Sequence, residues 1–182
     1  MKAVVISGYF NPLHTGHLDY IEEAKSLGDV LIVIVNNDTQ VKIKGSQPFL
    51  NQNDRLRIIS SLKNVDLAVV AIDRDATVVE SLRELWKRNQ SQPNLGLAVD
   101  VDNHMIFANG GDRKQGNTPE EDFCRSVGIE TAYNVGGEKT QSSSRILYNA
   151  RQTGFSGICS DEMIRWMTEG TPWTHAPRSD CG

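Results

Sequence analysis

The chain has 182 residues, 38% hydrophobic and 23% charged, enough for one ordinary domain that folds without a disulfide or metal staple. With 19 Lys and Arg against 23 Asp and Glu, its formal charge of −4 excludes broad coating of nucleic acid but allows a local phosphate pocket. Cys124, Cys159 and Cys181 form no CxxC pair, which points to a reducing compartment, and no apolar run suits a signal peptide or membrane span, so a soluble cytoplasmic protein is expected.

Ala3–Ser7 is a β-rich run that stops at Gly8. After a loop rich in special residues, Leu18, Ile21, Ala24 and Leu27 recur at three-residue steps and predict a helix that Gly28 ends. Val30–Val35 is continuously apolar, as in a strand buried on both faces of a parallel sheet. Lys42 and Lys44 fall on a loop after it. Asn53-Asp54 is expected to cap a helix carrying Leu56, Ile59 and Leu62, and Leu67–Ile72 reads as a third strand. Val78 to Asn89 predicts a helix, and Met105–Ala108 a fourth strand that enters Asn109-Gly110-Gly111-Asp112-Arg113. Pro119 followed by Glu120, Glu121 and Asp122 announces the next helix, and Gly128 closes it. Thr131–Val135 is a fifth strand, and Ser142-Ser143-Ser144 opens a last helix.

This alternation predicts βαβ units with right-handed crossovers. The expected fold is α/β, a Rossmann-like three-layer arrangement around a five-stranded, mostly parallel sheet, with a C-terminal extension. Residues 1–152 form the expected domain and 153–182 an appendage of uncertain structure; residues 90–103 read as a polar insertion.

Ligands of such sheets bind outside the carboxyl ends of the strands, so the loop after the first strand is the first candidate site. Gly8 allows close backbone approach there, and His14 and His17 sit three residues apart at the start of the helix. Free N–H groups and the helix dipole favour an anion at that point. From the residues alone three readings are open: imidazoles gripping phosphate, packed histidines, or a His-x-x-His metal pair of a hydrolase that lacks a third ligand nearby. No Gly-x-Gly-x-x-Gly follows the first strand, which counts against a dinucleotide-binding domain.

The run Gly8-Tyr9-Phe10-Asn11-Pro12-Leu13-His14-Thr15-Gly16-His17 resembles the first signature of the nucleotidylyltransferase superfamily, with its His-x-Gly-His motif. Glu23-Ala24-Lys25-Ser26-Leu27-Gly28-Asp29, Asn36-Asn37-Asp38, Lys42-Ile43-Lys44-Gly45, Asn53-Asp54-Arg55, Asn64-Val65-Asp66, Asn109-Gly110-Gly111-Asp112 and Ser142-Ser143-Ser144-Arg145 follow in the family's order. The resemblance covers roughly residues 1 to 150.

The resemblance implies displacement at the α-phosphorus of a nucleoside triphosphate by a small phosphorylated acceptor, a sugar or polyol phosphate, with release of pyrophosphate. His14, His17 and Lys44 are then the catalytic residues. Gly8, Tyr9, Phe10, Asn11, Gly16, Gly110, Gly111, Asp112, Ser142, Ser143, Ser144 and Arg145 would bind the nucleotide. Lys42 and Arg55 would contact the substrate, with Arg55 pairing to Asp54 as the alternative. No protein metal site is implied, and Mg²⁺ enters with the triphosphate. A homodimer is left open, the tail aromatics Phe155, Trp166 and Trp173 being candidates for its interface.

Departures from the family pattern bear on the nucleotide. Leu147 stands where a basic residue is frequent, Lys63-Asn64-Val65-Asp66 lacks the Arg and Tyr of cytidylyltransferases, and Gly137-Glu138-Lys139-Thr140-Gln141-Ser142 replaces their Arg-Thr-x-Gly-Ile-Ser. Gly110-Gly111-Asp112 is nearer the adenylyltransferase pattern, so ATP is favoured over CTP. A glycerol-3-phosphate-type cytidylyltransferase is the alternative within the superfamily. A nucleotide-binding module without catalysis is the alternative outside enzymes.

Overall fold

A computed structural model of the chain describes residues 1–92, 104–111 and 118–137, with Arg113, Gly116, Ser143, Arg145, Ile146 and Asn149 besides. The expectations for residues 93–103 and 153–182, and for Asp112, Ser142 and Ser144, lie outside the described residues. The chain falls into two compact units, Met1–Ser143 and Ser144–Gly182; Arg145, Ile146 and Asn149 of the second are helical.

In the first unit the elements run β1 (Ala3–Gly8), α1 (Thr15–Ser26), β2 (Val30–Val35), α2 (Asp38–Ile43), α3 (Gln52–Ser60), β3 (Leu67–Val70), α4 (Val79–Ser91), β4 (Met105–Gly110), α5 (Glu120–Val127) and β5 (Glu130–Val135). The five strands pair parallel throughout, in the order β3-β2-β1-β4-β5. All six residues of β2 are buried, as are Ala3 to Ile6 of β1, because helices cover both faces. Val5, Ile32, Ile34, Met105 and Phe107 pack under Leu82 and Leu85 of α4 and Phe123 of α5. On the opposite face Val4, Ile6, Val33, Ile106 and Ala108 meet Ile21 and Ala24 of α1 and Ile59 of α3.

The chain winds from β1 outward to β3, then returns to the other side of β1 to begin β4. That reversal opens a crevice between the carboxyl ends of β1 and β4, where ligands of such sheets are held.

Three local outcomes differ from expectation. The segment of Lys42 and Lys44 is not a loop: Asn37 caps a short helix, accepting from Gln40 N at 2.9 Å while Gln40 Oε1 accepts from Asn37 N at 3.0 Å. α3 is capped by Asn51, two residues before the expected Asn53, through bonds from Asn53 N and Asp54 N. Helix α4 runs on through Ser91, into the stretch expected to be an insertion. Among the described residues no helix is long and apolar enough to cross a membrane.

Candidate active site

β1 delivers the chain to the crevice, and Phe10 then takes φ +48, a left-handed backbone that a bulky residue adopts only when its surroundings hold it. Its surroundings do. The ring is 2% exposed, packs with Ile6 and Ile21, and meets the His17 ring edge-on at 5.0 Å. A Cβ on Gly8 would lie 2.7 Å from Phe10 Cζ, so the glycine makes room for this ring rather than for a ligand. Phe10 is therefore part of the scaffold under His17.

His14 is the N-cap of α1, with extended backbone at φ −148 and ψ 170. Its N–H donates to His17 Nδ1 at 3.3 Å, and the two rings stack with centroids 3.8 Å apart. An N–H cannot accept, so His17 Nδ1 carries the lone pair and its proton sits on Nε2, pointing a donor away from the backbone. Thr15 and Gly16 occupy the first turn between the rings. Ser143 Oγ donates to Pro12 O at 2.9 Å, which brings one residue of the expected serine run to this loop.

Lys44 is the C-cap of α2, and its Nζ sits 4.3 Å from the centroid of the Tyr9 ring. Tyr9 is half-buried, and burial raises its phenol above the ordinary range, with the charge of Arg113 lowering it and that of Glu120 raising it. Lys42 is exposed in the last turn of α2.

Arg55, expected at the substrate, and Asn11, expected at the nucleotide, both bond to the protein itself. Arg55, 1% exposed, donates to Leu50 O (3.1 Å), Tyr9 O (2.8 Å) and Asn36 O (2.6 Å), and pairs with Asp38 Oδ1 at 2.6 Å, not with Asp54. It ties the loops after β1 and β2 to the starts of α2 and α3. Asn11, 4% exposed, donates to Gln47 O at 2.8 Å and accepts from Phe49 N at 2.6 Å, so its amide clamps the segment after α2 onto the first loop. Between them they hold the two ends of α2, the helix that Lys44 caps.

The glycines after β4 divide in the same way. A Cβ on Gly110 would meet the Tyr20 ring at 2.8 Å, whereas Gly111 turns with φ +68 into open space. Tyr20 donates to Ala108 O at 2.6 Å, and burial raises its phenol strongly. Gly111 is thus the glycine whose turn has open space beside it. Arg145 is exposed.

Residues outside the expected set complete the surroundings. Arg113, on the loop after β4, reaches Glu120 Oε2 at 3.3 Å, and Glu120, 1% exposed, takes Val78 N on its other oxygen at 2.9 Å. Gln40, fully buried, donates to Asp75 O and Thr77 O and so anchors α2 to the loop before α4. Asp73, 3% exposed, caps the start of α4 through Glu80 N, Ser81 N and the Ser81 hydroxyl. Beyond β3 an open groove of about 470 Å³ is lined by Ile72, Asp73, Arg74, Asp75 and Glu80. Among the described residues no three His, Cys, Asp or Glu side chains are placed to share a metal ion.

A family model described as cytidylyltransferase-like matches residues 5–148, from β1 past the serine run. The chain belongs to the cytidylyltransferase-like family. That places it in the nucleotidylyltransferase superfamily, as its first signature implies. An FAD synthase of Thermoplasma acidophilum is 38% identical over 47% of this chain and 61% of its own length. One from Archaeoglobus profundus is 43% identical over 58% of this chain and 61% of its own. The bifunctional protein HldE of Aliarcobacter butzleri is 51% identical over 38% of this chain and 15% of its own. The chain thus spans about three-fifths of the length of those FAD synthases. The crystal structure of the lipopolysaccharide core biosynthesis protein from Thermoplasma volcanium superposes with a TM-score of 0.52 at 27% identity, covering 78% of this chain and 98% of that one.

Proposed function

We propose that this cytidylyltransferase-like protein transfers a nucleoside monophosphate from a nucleoside triphosphate to a small phosphorylated acceptor and releases pyrophosphate. The stacked pair of His14 and His17 at the start of α1 carries this reading, because it fixes an Nε2–H donor beside a helix N-terminus at the sheet's switch point. A phosphate oxygen of the acceptor attacks the α-phosphorus in line; the bond from that phosphorus to the bridging oxygen breaks, and its electron pair leaves with pyrophosphate. No covalent enzyme intermediate is needed, so positioning and charge stabilisation supply the catalysis.

His17 and His14 hold phosphate oxygens whose charge grows in the transition state. Lys44, with Lys42 on the short helix that it caps, neutralises the leaving pyrophosphate, and Ser143, which donates to Pro12 O, adds a hydroxyl at that loop. Gly111 and Asp112 meet the ribose or base, and Mg²⁺ arrives as part of the triphosphate. ATP is the favoured donor, in keeping with relatives named FAD synthase, since FAD is an adenylate joined to a flavin phosphate. That likeness adds a flavin phosphate to the sugar and polyol phosphates as candidate acceptors.

The test is a pyrophosphate-release screen that crosses ATP, CTP, GTP and UTP with sugar, polyol and flavin phosphates. Release with one acceptor class and ATP is the expected result. Nucleotide binding by calorimetry with no release across the panel would leave a binding module in place of an enzyme.

A further inference from the structure

We propose that Arg113 is a further phosphate-binding residue of the nucleotide site, reaching the triphosphate from the β4 side of the crevice while Lys44 reaches it from the β2 side. The inference rests on the proposed nucleotidylyl transfer and names a residue that neither the motif order nor the family signatures single out.

The position comes from the fold. Arg113 lies three residues beyond the end of β4, on the loop that leaves one wall of the switch-point crevice, two residues after the left-handed Gly111. Its orientation comes from Glu120. That carboxylate is 1% exposed and held on one oxygen by Val78 N at 2.9 Å, which leaves the other for Arg113 NH1 at 3.3 Å. A buried carboxylate with a fixed geometry is a firm anchor for one corner of the guanidinium.

One corner is all that it takes. Arg presents five N–H donors in a rigid fork, and among the described residues Glu120 is the partner of this one, while the side chain is 39% exposed. A wholly structural Arg looks different in this same protein: Arg55 is fully buried and uses its fork on three carbonyls and a carboxylate. The charge of Glu120 does not cancel Arg113 alone, because the first turn of α5 and Val78 N–H share in balancing it.

The charge of Arg113 reaches the phenols of both Tyr9, on the loop after β1, and Tyr20, which donates to Ala108 O of β4. Tyr9 also carries Lys44 Nζ over its ring, 4.3 Å from the centroid. Asn109, next to Gly110 on β4 and 2% exposed, also has an amide nitrogen without a hydrogen-bond partner. Among the described residues the end of β4 therefore offers donors without matching acceptors, and a polyanion with many oxygens suits them.

Binding of ATP, CTP and inorganic pyrophosphate would be measured by calorimetry on the full chain, with wild type, Arg113→Gln and the double variant Arg113→Gln/Glu120→Gln. The double variant leaves no buried carboxylate unpaired, so it keeps the question open to measurement if the single variant unfolds. Loss of a charge-assisted bond is expected to weaken ATP and pyrophosphate by about 10- to 100-fold in either variant. Wild-type affinity for both in a folded variant would overturn the assignment of Arg113 and leave nucleotidylyl transfer standing. A fall for ATP with pyrophosphate unchanged would move the contact off the phosphates and overturn it too. A wild-type chain that binds none of the three would overturn both readings.

Discussion

The proposed function gives the His17 ring two tasks: Nδ1 accepts from His14 N at 3.3 Å, and Nε2–H donates to phosphate. The tasks separate by substitution. His17→Asn puts an oxygen near the place of Nδ1, so the start of α1 survives, but nothing replaces Nε2–H. His17→Gln does the reverse. The Asn variant is expected to keep the wild-type melting temperature and lose about 10² to 10³ in pyrophosphate-release rate, the range for one transition-state donor. The Gln variant is expected to melt lower and retain more turnover; equal turnover in the two would remove Nε2 from the mechanism. Tyr20 offers a test of the scaffold without substrate. Its phenol is raised by burial, so the folded protein favours the neutral form. The stabilisation is complete below the unfolded value near 10 and is lost as pH rises above it, where the unfolded phenol ionises and the folded one does not. Urea unfolding between pH 8 and pH 11 is expected to show stability falling by up to about 1.4 kcal/mol per pH unit in wild type, with a flatter profile in Tyr20→Phe. At this scale the imidazole pair was legible because a signature of ten residues specifies it. The reasons for Gly8 and Gly110 were not, because only the folded chain brings Phe10 and Tyr20 against them.

At the scale of elements, the most informative departure is α2. Its Asn37 and Gln40 form a capping box that spacing alone reveals, yet a two-lysine stretch between strands reads as a loop when only its charge is weighed. As a helix it gives Lys44 a fixed base, and Arg55 is what fixes the helix. An arginine is ordinarily exposed, so no pattern in the sequence announces one that is 1% exposed. Arg55→Met would leave the carbonyls of Tyr9, Asn36 and Leu50 without their donors. At a cost of about 1–3 kcal/mol for each buried group left unpaired, a loss of about 3 kcal/mol or more is expected in urea unfolding. Should it fall below about 1 kcal/mol, water has taken over the carbonyls and the hub is weaker than its geometry indicates. Strand existence, by contrast, was readable throughout, because β1 and β2 are buried on both faces and their apolar runs are unbroken.

The whole molecule determines where these parts can act. Parallel pairing in the order β3-β2-β1-β4-β5 puts every carboxyl end on one edge, and the winding reversal beside β1 leaves the crevice there open. The alternation of strands and helices implied such a sheet, but not the order of its strands, which tertiary packing decides. The elements lining the crevice are distant in sequence: the loop after β1, the end of α2, and the turn after β4. A ligand held by all three links them, so its binding energy adds to the stability of the folded unit as a whole. At 100 times its Kd a nucleotide adds about 2.7 kcal/mol, which raises the melting temperature of a chain this size by about 5 to 10 °C. The donors on these elements suit phosphate oxygens: two imidazoles, Lys44 and the first turn of α1. At equal concentration ATP is therefore expected to raise the melting temperature most, CTP less, and adenosine, which brings no phosphate, not at all. The same ranking measured on His17→Asn should collapse toward zero. A shift with adenosine equal to that with ATP would show that the base alone is bound and would withdraw the phosphates from the crevice.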